Sequence, residues 1–210
     1  MALRIAIDVN DVLRDFTRQF ANMYKKTVDP SFDIEYEDIN DFDFTNIFPF
    51  YDNNGNIDTM LFNKFKYEDC SFEIYGRAEA MDRMLPSEFN LWTQNTMRNF
   101  DDDKLPEIII FSPFEMNLSI QSTLSFLARF GIRTRKIVFP SDSFKMWEEC
   151  DIMITANPNL IEATPEDKIS FKIKAPYNTE VKGSYEFDSM LDIIHDENNT
   201  IINLIENNND

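Results

Sequence analysis

The sequence predicts an α/β fold, a doubly wound, mostly parallel sheet flanked by helices, with a helical cap inserted after the first strand. Three observations predict it. Apolar runs at residues 3–9, 107–112, 135–139 and 150–155 are too short for helices, and the first, second and fourth are rich in isoleucine; buried parallel strands read this way. Segments with helical spacing of apolar residues separate the later runs, the alternation that builds βαβ units. Between the first and second runs the composition changes, with acids interleaved among aromatics and isoleucines as at residues 34–44.

The first run ends at Asp8, and an aspartate at the carboxyl end of a parallel strand stands where such sheets meet their ligands. Val12, Phe16, Phe20 and Met23 then follow at helical spacing, predicting a helix over residues 11–26 that stops before Pro30. Residues 52–56, Asp-Asn-Asn-Gly-Asn, signal a turn. Short helices are expected over 57–65 and 78–97, the second interrupted near Pro86. The aromatics of this region read as the core of a small lid in preference to a base-stacking pocket. The sheet resumes at 107–112. A helix over 116–130 stops at Gly131, a strand covers 135–139, and residues 140–149 form a loop and short helix carrying Lys145. After the fourth strand, Lys168–Lys174 alternates as a fifth, and 187–195 and 200–206 read as amphipathic helices. His195, the one histidine, reads as a helix-surface residue and excludes a histidine-based metal cluster.

Composition narrows the function. With 210 residues, 43% of them hydrophobic and 20 of them phenylalanine, the chain is able to bury a substantial core. A formal charge of −18 argues against nucleic-acid binding, which needs a basic footprint, and against adsorption to an anionic membrane. It is compatible with basic partners, a solvated and self-repelling surface being the preferred reading. Cys70 and Cys150 lie far apart, which suits a reducing compartment. Asp8 interrupts the early apolar run, so no signal peptide is read, and no run reaches membrane-spanning length. The expectation is a soluble intracellular protein.

Four segments carry a family resemblance. Ile5-Ala-Ile-Asp8-Val-Asn10-Asp-Val-Leu13 resembles the first motif of the haloacid dehalogenase superfamily, and more closely its 5′(3′)-deoxyribonucleotidase-like branch: an apolar strand, Asp-x-Asp, a small or acidic residue, then Val-Leu. Ser112-Pro113 resembles the second motif, whose hydroxyl binds the transferred phosphate. Lys145 stands where the third-motif lysine neutralises the aspartyl nucleophile and the phosphate. Asp151-Ile-Met-Ile-Thr-Ala-Asn-Pro158 aligns without gaps on the fourth motif, Asp, three apolar residues, Asp-Asp-x-Pro, and Pro176-Tyr177-Asn178 resembles a turn of the same branch. The resemblance implies a haloacid dehalogenase-like core of residues 1–14 and 101–210, with residues 15–100 as the inserted helical cap.

The same alignment shows what has changed. The family's second aspartate is Asn10, and its two motif-four acids are Thr155 and Ala156. In the family the first aspartate attacks phosphorus, and the second protonates the leaving oxygen and later activates water. An amide cannot shuttle a proton near neutral pH, so general acid–base help of ~10²–10⁴-fold is lost. Magnesium needs one or two carboxylates besides the phosphate, yet Thr155 and Ala156 bring no charge. Asp151 begins its strand, roughly 13 Å from the carboxyl end. The expectation is a remnant site of Asp8, Asn10, Ser112 and Lys145, with Asp8 and Lys145 as a structural ion pair, no metal and no cofactor. The chain then acts as a structural or protein-interaction module with a basic partner. Similar nucleotidase-like proteins are encoded by bacteriophages, which makes a phage assembly, in the host cytoplasm or the virion, its implied setting. The alternative is a magnesium-dependent 5′(3′)-deoxyribonucleotidase with Asp8 as nucleophile.

Overall fold

Alternation along β1 (Arg4–Asp8) sets the architecture. Ile5 and Ile7 enter one core cluster with Ile108, Ile110, Ile152, Ile154, Phe171 and Ile173, while Ala6 enters another with Ile109, Phe111 and Met153. Successive strand residues point to opposite faces, so a strand apolar on both must be covered on both. In this computed structural model, residues 3–98, 105–113, 115–116 and 118–207 are described.

Among the described residues one six-stranded sheet forms, in the order β3-β2-β1-β4-β5-β6, with every neighbouring pair parallel. The other strands are β2 (Glu107–Phe111), β3 (Lys136–Val138), β4 (Ile152–Thr155), β5 (Ile169–Ile173) and β6 (Tyr185–Phe187). The five expected strands are present. The sixth falls partly in a segment expected to be helical, whose helix begins only at Met190.

Helices cover both faces. On the first lie Phe89, Phe126, Leu127, Met190, Ile193, Ile201 and Ile205; on the second lie Met146, Trp147 and Leu160, the indole nitrogen donating to the Leu160 carbonyl at 3.0 Å. Residues between β1 and β2 build a third cluster around Phe20, whose ring lies 5.0–6.0 Å from those of Phe16, Phe44, Phe48, Phe62 and Phe65. Met84 and Phe89, although in the expected cap, pack with the sheet. The expected boundary at 100/101 lies outside the described residues.

Local chemistry explains several ends. Helix α1 runs Phe16–Thr27, five residues later than residue 11, because Asp11 takes a left-handed backbone (φ 54°) and the chain turns there. The short helices α2 (Phe44–Ile47) and α3 (Thr59–Lys64) are each capped by a preceding aspartate, Asp43 and Asp58, whose carboxylate accepts from the first turn. Pro86 starts helix α4 (Pro86–Arg98) instead of breaking one, since a first-turn proline forfeits no helical bond. Helix α5 (Leu118–Arg129) ends at Gly131, which adopts φ 64°.

Candidate functional site

The strand order locates the site before any side chain is considered. The chain runs from β1 outward through β2 to β3, then returns to β4 on the other side of β1. The reversal leaves a crevice at the carboxyl ends of β1 and β4. Asp8 ends β1 and Thr155 ends β4.

Asp8 is buried, and each of its oxygens is engaged. The Asn10 amide donates to Oδ1 at 3.1 Å, and the Thr155 hydroxyl donates to Oδ2 at 2.9 Å. Thr155 Oγ1 in turn accepts the Asn157 amide at 3.1 Å. Burial pushes the Asp8 carboxyl up to about 7, against the opposing pull of the Thr155 and Asn10 hydrogen bonds.

Behind Asn10 lies a residue that sequence reasoning missed. Arg14 is fully buried and donates through Nε to Asn10 Oδ1 at 3.2 Å, with a second, shorter bond from a terminal nitrogen to the same oxygen. The guanidinium also pairs with Glu115 at 2.9 Å, donates to Thr123 Oγ1 at 2.5 Å and to the Tyr75 carbonyl at 3.1 Å. Ser112 belongs to this network: its hydroxyl donates to Glu115 at 2.5 Å and accepts from the Asn10 side-chain nitrogen, Nδ2, at 3.5 Å. The one available signal was an arginine inside the apolar run Val12-Leu13-Arg14-Asp15-Phe16.

Asp11 was also missed. It accepts the Thr17 amide (2.9 Å) and hydroxyl (2.5 Å), and the Tyr177 hydroxyl at 2.7 Å. Burial raises its proton affinity, and these hydrogen bonds oppose the rise. Tyr177 comes from the Pro-Tyr-Asn turn, and its neighbour Asn178 donates to the carbonyls of Ala156 and Ile173 at 2.8 and 2.9 Å, tying β4 to β5 at the site.

The sequence-derived residues therefore divide. Asp8, Asn10, Ser112 and Thr155 are brought together, with Ala156 beside them through its backbone. Lys145 is not: it ends a turn whose buried members are Ser143 and the following Met146, its side chain is exposed, and it forms no ion pair with Asp8. The expected Asp8–Lys145 pair does not form; Asp8 accepts from the Asn10 backbone amide and the Thr155 hydroxyl, and the buried arginine on β1's exit turn pairs with Glu115 instead. Asp151 lies at the opposite end of the sheet, paired with Arg4 at 2.8 Å. His195 is an exposed residue 3.9 Å from Glu88.

A cavity of about 220 Å³ opens above Asp8. Asp8, Asn10 and Asp11 form its floor, rings from the β1–β2 segment line its walls, and Lys66 and Asp43 also face it. The residues present do not fit the family's magnesium. Asp8 spends one oxygen on the Thr155 hydroxyl, Ala156 offers no side-chain donor, and among the described residues no group of three His, Cys, Asp or Glu side chains is arranged to hold a metal ion. No protein-family model matches the chain, and no curated protein matches it.

Proposed function

We propose that this chain is a haloacid dehalogenase-like domain with an inserted helical cap that has left phosphoryl transfer behind and serves as a structural or protein-interaction module, a phage assembly being one setting that suits it. The observation that carries this reading is the hydrogen bond from Thr155 to Asp8. Where the family brings a metal-binding carboxylate to the nucleophile, this chain brings a hydroxyl that donates to it and ties up an attacking oxygen. Asn10 supports the same reading, since its side-chain oxygen is held by Arg14 and an amide does not transfer protons near neutral pH. The acidic surface then suits a basic protein partner.

The test is hydrolysis of deoxynucleoside monophosphates and of an aryl phosphate, with and without magnesium. The expected result is no turnover above a heat-denatured control. Turnover on the order of 1 s⁻¹ or more, an ordinary enzymatic rate, would overturn the reading in favour of a magnesium-dependent deoxyribonucleotidase.

A further inference from the structure

The cavity above Asp8 gathers acidic groups without a matching set of cations. Asp8 and Asp11, both buried at its floor, accept hydrogen bonds only from neutral donors: the Asn10 amide and Thr155 hydroxyl for one, Thr17 and Tyr177 for the other. The nearby guanidinium, Arg14, is committed to Glu115, Asn10 and Thr123. Asp43 adds a third carboxylate to the lining. Against these three acids the lining presents, among the described residues, one cation, Lys66.

The walls are suited to positive charge. The Lys66 ammonium lies 4.9 Å from the Tyr67 ring centroid, 5.5 Å from Phe16 and 5.9 Å from Phe62, and it pairs with no carboxylate. Ring faces attract cations at such distances. Lys66 is thus an internal example of the contact these walls make. A phosphomonoester, by contrast, would bring up to two further negative charges to the same floor.

We infer that the cavity is a socket for a cationic head group, a guanidinium or ammonium, carried either by a free organic cation or by an arginine or lysine side chain of a protein partner. Its volume of about 220 Å³ accommodates several heavy atoms, a single water's share being about 30 Å³. The head group would meet Asp8 and Asp11 at the floor and the rings of Phe16, Tyr67 and Tyr177 at the sides. Lys66, on a flexible stem and only half-buried, swings outward as the ligand enters. This deepens the non-catalytic reading by giving the site a ligand, and it rests on that reading for the absence of a metal ion at the floor.

The experiment is calorimetric titration of the full chain with three probes: tetramethylammonium, the capped peptide acetyl-Gly-Arg-Gly-amide, and deoxythymidine monophosphate. The expected result is saturable binding of a cationic probe, weakened at least tenfold by Asp8→Asn and tightened severalfold by Lys66→Met. Binding of the peptide in preference to tetramethylammonium assigns the socket to a partner's side chain, and the reverse order assigns it to a free cation. Preference for the nucleotide, weaker cation binding in Lys66→Met, or no saturable binding of either cation overturns the proposal. Lys66 is half-buried and pairs with no carboxylate, so that variant remains informative if Asp8→Asn fails to fold. Hydrolysis assayed on the same preparations separates a failure of the socket from a failure of the non-catalytic reading.

Discussion

Arg14 grips Asn10 by its side-chain oxygen, Nε at 3.2 Å and a terminal nitrogen closer still, while Glu115 accepts from that same terminal nitrogen at 2.9 Å. On the proposed haloacid dehalogenase-like reading, the position of the general acid is here the acceptor of a permanent cation. Restoring the acid is therefore a different matter from restoring the activity. In Asn10→Asp the introduced carboxylate would meet Arg14 directly and be held ionised, below the ordinary aspartate value of about 3.9. Carbon-detected NMR titration of that carboxyl should find it depressed. Even Asn10→Asp, Thr155→Asp and Ala156→Asp together should hydrolyse aryl phosphate at least ~10²-fold more slowly than an ordinary enzyme, for want of an available proton. A carboxyl titrating near neutrality at that position would contradict this account.

Asp8 gives the fold a pH dependence of definite sign. Its carboxyl titrates at about 7 when folded, against an ordinary 3.8. Between those values the folded chain keeps the proton that the unfolded chain has released. Stability from this group is thus lost as pH rises through that window, by at most about 1.4 kcal/mol per unit, and the loss levels off above it. Asp11, also raised by burial, acts in the same direction. Urea denaturation from pH 4.5 to 8 should show a shallower decline for Asp8→Asn than for the parent chain, with the variant relatively more stable at neutral pH.

Thr155 holds the Asp8 carboxylate by its hydroxyl, so Thr155→Val should push the Asp8 carboxyl above 7 and leave the Asn157 amide without its acceptor. A loss of about 1–3 kcal/mol is expected for the orphaned groups. Thr155→Ser, which keeps the hydroxyl, should recover most of it. Thermal melts of the two variants side by side, with an NMR titration of Asp8, check the assignment.

Phe48 is completely buried among the rings of Phe20, Tyr24, Phe32 and Phe44. Phe48→Ala should cost about 3–5 kcal/mol, read as a lowered denaturation midpoint. Phe48 and the rings around it serve the core of their own segment. An unchanged midpoint would mean that the segment packs differently.

Most of the fold that was legible in the sequence lies where burial acts on nearly every residue of an element, although the half-exposed β3 was also read, from its short run between helix and loop. β1, β2, β4 and β5 are buried through most of their length and read as strands directly. β6 is a three-residue edge strand with Tyr185 and Glu186 exposed, so it carries no apolar pattern to find. The start of α1 was misread because Val12 and Leu13 continue the helical spacing while Asp11 turns the backbone. At the site, Asp8, Asn10, Ser112 and Thr155 were legible through ordered motifs at strand ends. Arg14 and Glu115 were not, because a buried ion pair looks in sequence like two ordinary surface charges. Lys145 was assigned by its place in a motif, and the turn that bears it faces outward.

The hydrogen bond from Tyr177 to Asp11 joins residues 166 positions apart, and β1, which precedes Asp11, is flanked by β2 and β4. A ribosome thus makes β1 before its two neighbours and must reach Thr155 before both exist. Until then Ile5 and Ile7 have no permanent cover, and long-range pairing of this kind is slow and prone to aggregation. The aromatic cluster between β1 and β2 is complete much earlier, by Tyr75. Newborn chains should therefore emerge with that cluster folded and the strand before it still waiting, a stage at which holdase chaperones would find their target in β1.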